Sequence, residues 1–206
     1  MWSWLAIGLS GMYSVMGSKQ DNRTQFLVFK IFTLLLLLIL VATQDTLSAY
    51  TYWITGGLLV SILADTLSSL KVHSMIYFSG YLIAQACYST AFWVQLNIEI
   101  VWWLLALLLA ASIVAFFLLL PLLDNLVFPV VIMGIMLVQM AGAAGEVWLQ
   151  TASYSKAIGF LGTLVMIYSA LSYAVLSYRK PKRFSHSWAN GSYLLAHALI
   201  VASIIY

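Results

Sequence analysis

Asp65 is the residue with the most chemistry to offer. It lies in Tyr52-Trp-Ile-Thr-Gly-Gly-Leu-Leu-Val-Ser-Ile-Leu-Ala-Asp-Thr-Leu, a run otherwise fit to cross a membrane. A carboxylate in hydrocarbon costs about 2.5–3.5 kcal/mol on insertion scales. A chain that keeps one there uses it or pairs it. A carboxyl in apolar surroundings can also keep its proton, because burial disfavours the charged form. A protonated acid beside a lipid is a proton donor. Other polar side chains fall within apolar stretches: Lys30, Tyr81, Gln85, Glu146, Ser169, Tyr173 and His197. Two uses of Lys30 are open, an anchor at the inner interface or a partner for Asp65. Gln85 and His197 suit either catalysis or hydrogen bonding between helices.

The elements that position these groups follow from composition. The chain has 206 residues, 64% hydrophobic and 7% charged, against about 25% charged in a soluble domain. This predicts an all-α membrane protein, a single domain over 1–206. Eight apolar segments can be drawn, at roughly 1–17, 26–43, 50–70, 74–94, 100–120, 125–148, 156–178 and 188–206. Several approach the ~20 residues a span requires. Short connections predict that sequential helices are antiparallel neighbours. Lys19, Arg23, Lys71, Arg179, Lys180, Lys182 and Arg183 all fall on one side of such a bundle. Lys156, with Asp45 and Glu99, falls on the other. The positive-inside rule then places both termini on the non-cytoplasmic side. Tyr50, Tyr52, Trp53, Trp93, Trp102, Trp103 and Trp148 lie near the outer ends, as an aromatic belt would.

Helical spacing sorts the polar residues into faces. Gly57, Ser61, Asp65, Ser68 and Ser69 share one in the third segment. Tyr77, Tyr81, Gln85 and Tyr88 share one in the fourth, and Gln139, Gly142, Glu146 and Gln150 in the sixth. The seventh offers Gly162, Ser169, Ser172 and Tyr173, and the eighth Asn190, Tyr193 and His197. The fifth has only Ser112 between its ends and is expected to face lipid. At about 1.5 Å per residue, Lys30, Asp65, Tyr81, Gln85, Ser169 and His197 fall in one layer of the inner half. Glu146 falls near the outer interface instead, probing the same cavity only if that cavity is deep.

Several function classes drop out. One cysteine, Cys87, permits no internal disulfide, and one Cys with three scattered His residues gives no zinc spacing. The chain has no phosphate-binding glycine loop, no Gly-x-Ser-x-Gly elbow and no His-Glu-x-x-His. The net charge of +3 belongs to loops and does not describe a nucleic-acid surface. No metal or other cofactor is expected.

Val28-Phe-Lys-Ile-Phe-Thr resembles the Phe-Lys-Pro-Leu-Thr signature of the YhhN-like membrane proteins, the lysoplasmalogenase family. Ala64-Asp-Thr-Leu resembles that family's Gly-Asp-x-Leu. Gly80-Tyr-Leu-Ile-Ala-Gln-Ala-Cys-Tyr is similar to its Gly-x-x-x-Phe-x-x-x-His-x-x-Tyr. Ala144-Gly-Glu-Val-Trp and Ala196-His-Ala-Leu-Ile-Val look like further matches, so the resemblance covers essentially the whole chain. It implies a multi-pass protein of the bacterial inner membrane that hydrolyses the vinyl ether bond of lysoplasmalogens to a fatty aldehyde and a glycerophospho-alcohol. It also implies Asp65 as proton donor, with Gln85, Ser169 and His197 as candidates for the second catalytic role. Lys30, Tyr81, Tyr173 and Glu146 are then candidates for holding the lysophospholipid. The chain departs from the family at three places: Ile31 replaces a proline, Gln85 a histidine, and Ser169-Ala170 a Ser-Asp pair. The alternative is a family member without the chemistry, acting as a lipid or small-solute binding protein or transporter.

Overall fold

A computed structural model describes residues 2–20, 22–44, 48–70, 74–96, 101–120, 127–178 and 184–206. They form α1 (Trp2–Lys19), α2 (Arg23–Ala42), α3 (Ala49–Ser69), α4 (Ser74–Trp93), α5 (Trp102–Leu119), α6 (Val127–Thr151), α7 (Tyr154–Tyr178) and α8 (Phe184–Ile205). No strand occurs among the described residues. The largest departure from the expected bounds is in α8, which begins at Phe184 rather than near 188. Two starts have visible causes. The Asn22 side chain accepts from the Gln25 N–H and Ser48 from the Thr51 N–H, each satisfying a donor left over at a helix N-terminus.

Among the described residues, four helices are long and apolar enough by themselves to cross a membrane, with spans at Thr24–Ala42, Val127–Thr151, Tyr154–Leu176 and His186–Ile205. Most of the loop residues behind the orientation expectation, Asp45, Lys71, Glu99, Arg179, Lys180, Lys182 and Arg183, lie outside the described residues.

The helices close a ring in the order α1, α2, α3, α4, α6, α7, α8 and back to α1. From its place in the ring α8 also reaches α2 and α3. Consecutive helices pack together as expected, except α4 and α5, whose contact is slight at most. Instead α4 packs on α6, and α5 lies against α6 on the outside. The apolar sequence of α5 explains its place. Leu107, Ile113, Val114, Phe117 and Leu118 are all more than half exposed. A helix apolar all round can face lipid at no cost, whereas one with a polar face cannot.

Small residues set the closest approaches. A Cβ on Gly57 would lie 2.5 Å from the ring of Tyr88, so only glycine lets that ring rest on α3. A Cβ on Gly80 would lie 3.0 Å from the Cβ of Ala64. This small pair brings α4 against α3 immediately beside Tyr81 and Asp65. The core between the helices includes Leu34, Leu37, Ile54, Leu58, Tyr88, Met140, Ile200 and Val201, all buried.

The residues expected to form an aromatic belt divide by exposure. Trp53, Trp93, Trp102 and Trp103 are exposed. Tyr50 is a correction: it is buried at 7% exposure, and its hydroxyl lies 2.6 Å from Ser203 Oγ.

A buried four-helix polar cluster as candidate functional site

Three helices each deliver a hydrogen-bonding group to Asp65, which lies on a fourth, α3. The carboxyl is buried on α3 at 2% exposure. Lys30 Nζ of α2 donates to its Oδ1 at 2.6 Å, and this ion pair is itself buried. Tyr81 of α4 donates to the same oxygen at 2.6 Å. Tyr193 of α8 donates to Oδ2 at 3.1 Å. Lys30 Nζ also lies 4.2 Å from the centroid of the Tyr193 ring. Tyr173 of α7 interacts electrostatically with both charges of the pair.

The cluster is self-consistent chemistry. Every group described on Asp65 donates to it, so the carboxyl acts as acceptor in this arrangement. Of the two uses left open for Lys30, the structure shows the partner of Asp65: the cation stands in direct contact with the carboxyl. Lys30 turns inward to Asp65 instead of reaching for an interface. The hydrocarbon stem of Lys30 makes the inward turn possible, since its four methylenes cross the α2–α3 interface while the ammonium meets a partner.

One turn before Asp65, Ser61 lies 3.4 Å from the hydroxyl of Tyr88 and 3.4 Å from His197 Nε2. His197 Nδ1 lies 2.9 Å from the carbonyl of Tyr193. A carbonyl only accepts, so the proton of a neutral imidazole resides on Nδ1 and Nε2 is left to accept from Ser61. The His197 ring packs 4.3 Å from that of Tyr193 and 5.6 Å from that of Tyr88. His197 therefore fixes Tyr193 from behind, and no described hydrogen bond joins it directly to Asp65.

The remaining candidates divide. Gln85 is buried on α4, one turn beyond Tyr81, and its Oε1 has no hydrogen-bond partner. An orphaned buried acceptor is costly and asks for a donor such as water. Ser169 donates to the Ala189 carbonyl at 3.1 Å, tying α7 to α8. Ala170, where the family pattern has an acid, packs against the core. Glu146 accepts from the Val101 N–H at 2.9 Å, which seats the start of α5, and its Oε1 is unpartnered. No described hydrogen bond links Glu146 to the Asp65 cluster. Tyr193 is the residue that sequence reasoning left off the site. Its signal was its spacing, four residues before His197 on the same face of α8.

Neither of the two principal clefts is lined by Asp65, Lys30, Tyr81 or Tyr193. Of these four, Tyr81 retains partial exposure and marks the less enclosed side. Among the described residues, no three His, Cys, Asp or Glu side chains gather as a metal site.

Comparison with known proteins gives a consistent picture. The profile of the YhhN family matches residues 25–204. The chain is 28% identical over 205 residues to the uncharacterized membrane protein YhhN of Escherichia coli O6:H1, covering 99% of both chains. The YhhN proteins of Escherichia coli O157:H7 and Shigella flexneri match with the same identity and coverage. No solved structure matches the chain.

Proposed function

The chain belongs to the YhhN family of membrane proteins, and on that premise we propose that it is a membrane lipid hydrolase acting on the vinyl ether bond of lysoplasmalogens. In this reading all eight helices span the bacterial inner membrane, with both termini on the non-cytoplasmic side. The observation that carries the proposal is the buried Lys30–Asp65 pair, with Tyr81 and Tyr193 on its two carboxyl oxygens.

The chemistry can be written through that pair. In an apolar site a proton passes from Lys30 Nζ to Asp65 across their 2.6 Å contact, leaving both groups neutral. Asp65 delivers it to the β-carbon of the vinyl ether, as a general acid. The C=C pair forms the new C–H bond, and the ether oxygen shares the positive charge as an oxocarbenium ion. Asp65 is now a carboxylate facing that cation, held by the two tyrosine hydroxyls. Water adds to the α-carbon and its released proton returns to the pair. The hemiacetal then collapses, its C–O bond to the glycerol breaking, to give a fatty aldehyde and a glycerophospho-alcohol. Gln85 Oε1, buried and unpartnered, is suited to orient the water. The family's second acid is absent, and Tyr173 lies one turn beyond Ala170 on α7 with its electrostatic reach to the pair. Entry of the alkenyl chain requires Tyr81, the partly exposed member, to swing aside.

A second reading has an observation in its favour. Asp65 is fully engaged by three donors, as a purely structural tie of α2, α3, α4 and α8 would be. A bundle that had kept this tie without chemistry could serve as a lipid or small-solute binding protein or transporter. Aldehyde release from lysoplasmenylethanolamine by the purified protein separates the two. Asp65→Asn keeps an acceptor for Lys30 and Tyr81 and offers its N–H2 to the Tyr193 hydroxyl, so it should remain a folded, monodisperse bundle while losing turnover. Turnover retained in Asp65→Asn would remove the residue from the mechanism, and no release by the wild type would favour the binding role.

A further inference from the structure

A second polar site lies at the other end of α3. Tyr50 and Asp65 are 15 residues apart on that helix, or about 22 Å along its axis. A cleft of about 530 Å3 opens there between the starts of α3 and α7 and the ends of α4 and α8. Its walls include Tyr50, Gln95, Ser155, Lys156 and Ser203. Lys156, half-buried on the first turn of α7, donates to Gln95 Oε1 and lies 4.9 Å from the centroid of the Tyr50 ring.

The polar walls bond to one another in a definite pattern. Ser203 donates to the Ile200 carbonyl at 2.7 Å, so its single proton is used and Tyr50 must be the donor in their 2.6 Å contact. Ser155 donates to the Ser203 carbonyl at 3.1 Å. The polar floor is thus internally satisfied, and Lys156 is the charged group above it. Its described partners are an amide oxygen and an aromatic face, both neutral. Among the described residues no side-chain carboxylate comes within ion-pair distance of it. The ammonium has two further N–H donors to offer. At the start of α7 the first backbone N–H groups also lack acceptors within the helix, which adds to the attraction for an anion.

Depth identifies the anion. Trp53, Trp93 and Tyr154, on the same ends of α3, α4 and α7, are 42%, 44% and 78% exposed. Exposed Trp and Tyr at helix ends mark the headgroup level of a bilayer. The anion available at that level, in contact with apolar walls such as Ile204 and Ile205, is a phosphodiester. We propose that this cleft holds the phosphodiester headgroup of a bilayer lipid, with Lys156 as its counter-charge. The bound lipid is distinct from a substrate at Asp65. In a lysoplasmalogen only a few bonds separate phosphate and vinyl ether, far short of the distance between the two sites. The site stands whether or not the hydrolase reading holds.

The test is native mass spectrometry of the delipidated full chain in detergent. The probes are phosphatidylglycerol, a galactosyl diacylglycerol with the same tails and no phosphate, and sodium phosphate. Wild type should bind one phosphatidylglycerol about tenfold more tightly than Lys156→Gln, the loss expected for one charge-assisted contact. Lys156→Arg, which keeps the cation, should stay within a few-fold of wild type, and the galactolipid should bind all three forms alike. Equal phosphatidylglycerol affinity in Lys156→Gln would overturn the proposal. So would displacement of the lipid by equimolar inorganic phosphate, which would mark a site for free anion. Should Lys156→Gln not fold, a wild type with no preference for phosphatidylglycerol over the galactolipid would overturn it as well.

Discussion

Removing one member of the Lys30–Asp65 pair should cost far more than its share of removing both. At 2.6 Å and an effective dielectric near 20, the attraction between two unit charges is about 6 kcal/mol. Burial of each ion costs several kcal/mol in return, so the intact pair is worth little net. A lone survivor keeps the burial cost and loses the attraction. Lys30→Met should therefore destabilise the bundle by about 3–5 kcal/mol. Asp65→Asn should fall at or below the lower end of that range, because its amide oxygen still accepts from Lys30 and Tyr81 while its N–H2 can donate to the Tyr193 hydroxyl. The double variant leaves no buried charge, only an amide whose oxygen accepts from Tyr81 and whose N–H2 faces the Tyr193 hydroxyl. It should be more stable than the sum of the single losses predicts by about 2 kcal/mol or more. The assay is reversible unfolding of the four proteins in mixed micelles, followed by far-UV circular dichroism as the denaturing detergent is raised. Losses that add to within about 0.5 kcal/mol would mean that the two charges are not an energetic unit. The shared-proton chemistry built on the pair would fall with that result.

Gly57→Ala drives a Cβ to 2.5 Å from the fully buried Tyr88 ring, so it should cost about 1–3 kcal/mol by overpacking in the same unfolding assay. Gly57→Ala/Tyr88→Leu should recover part of that loss. Ser169→Ala removes a hydrogen bond from α7 to the Ala189 carbonyl, and should cost about 1 kcal/mol or less while aldehyde release persists. Loss of turnover at unchanged stability would return Ser169 to the list of catalytic residues.

The helices were legible because lipid rewards a simple pattern, a long apolar run ended by polar residues. The outer, exposed position of α5 was legible for the same reason, from Ser112 being its sole polar residue between the ends. The identity of the polar layer was legible through spacing. Asp65, Tyr81 and Lys30 were placed at one depth by counting residues, and they do meet. Depth along a helix comes from the sequence alone, whereas the order of helices around a ring comes from packing. The count could not say that α4 adjoins α6, or that α8 reaches α2 and α3 and so brings Tyr193 to the far oxygen of Asp65.

Glu146 and Gln85 illustrate the limit from opposite sides. Glu146 looked like a possible wall of a deep cavity, yet it receives the Val101 N–H of a helix whose own start has no side-chain cap. A helix N-terminus leaves several N–H groups unsatisfied, and a carboxylate from a neighbouring helix can answer one across space. Nothing in the local sequence of Glu146 encodes that, because the partner is 45 residues away. Gln85 aligns with the family histidine and was legible as a polar group facing inward, but its value lies in what it lacks. With Tyr81 bonded to Asp65 on one side and Tyr88 near Ser61 on the other, Gln85 is the group on that face of α4 with an acceptor to spare. The proposed hydrolysis needs one place in the layer that is not already committed to holding helices together, and this unpartnered acceptor would offer a water such a place.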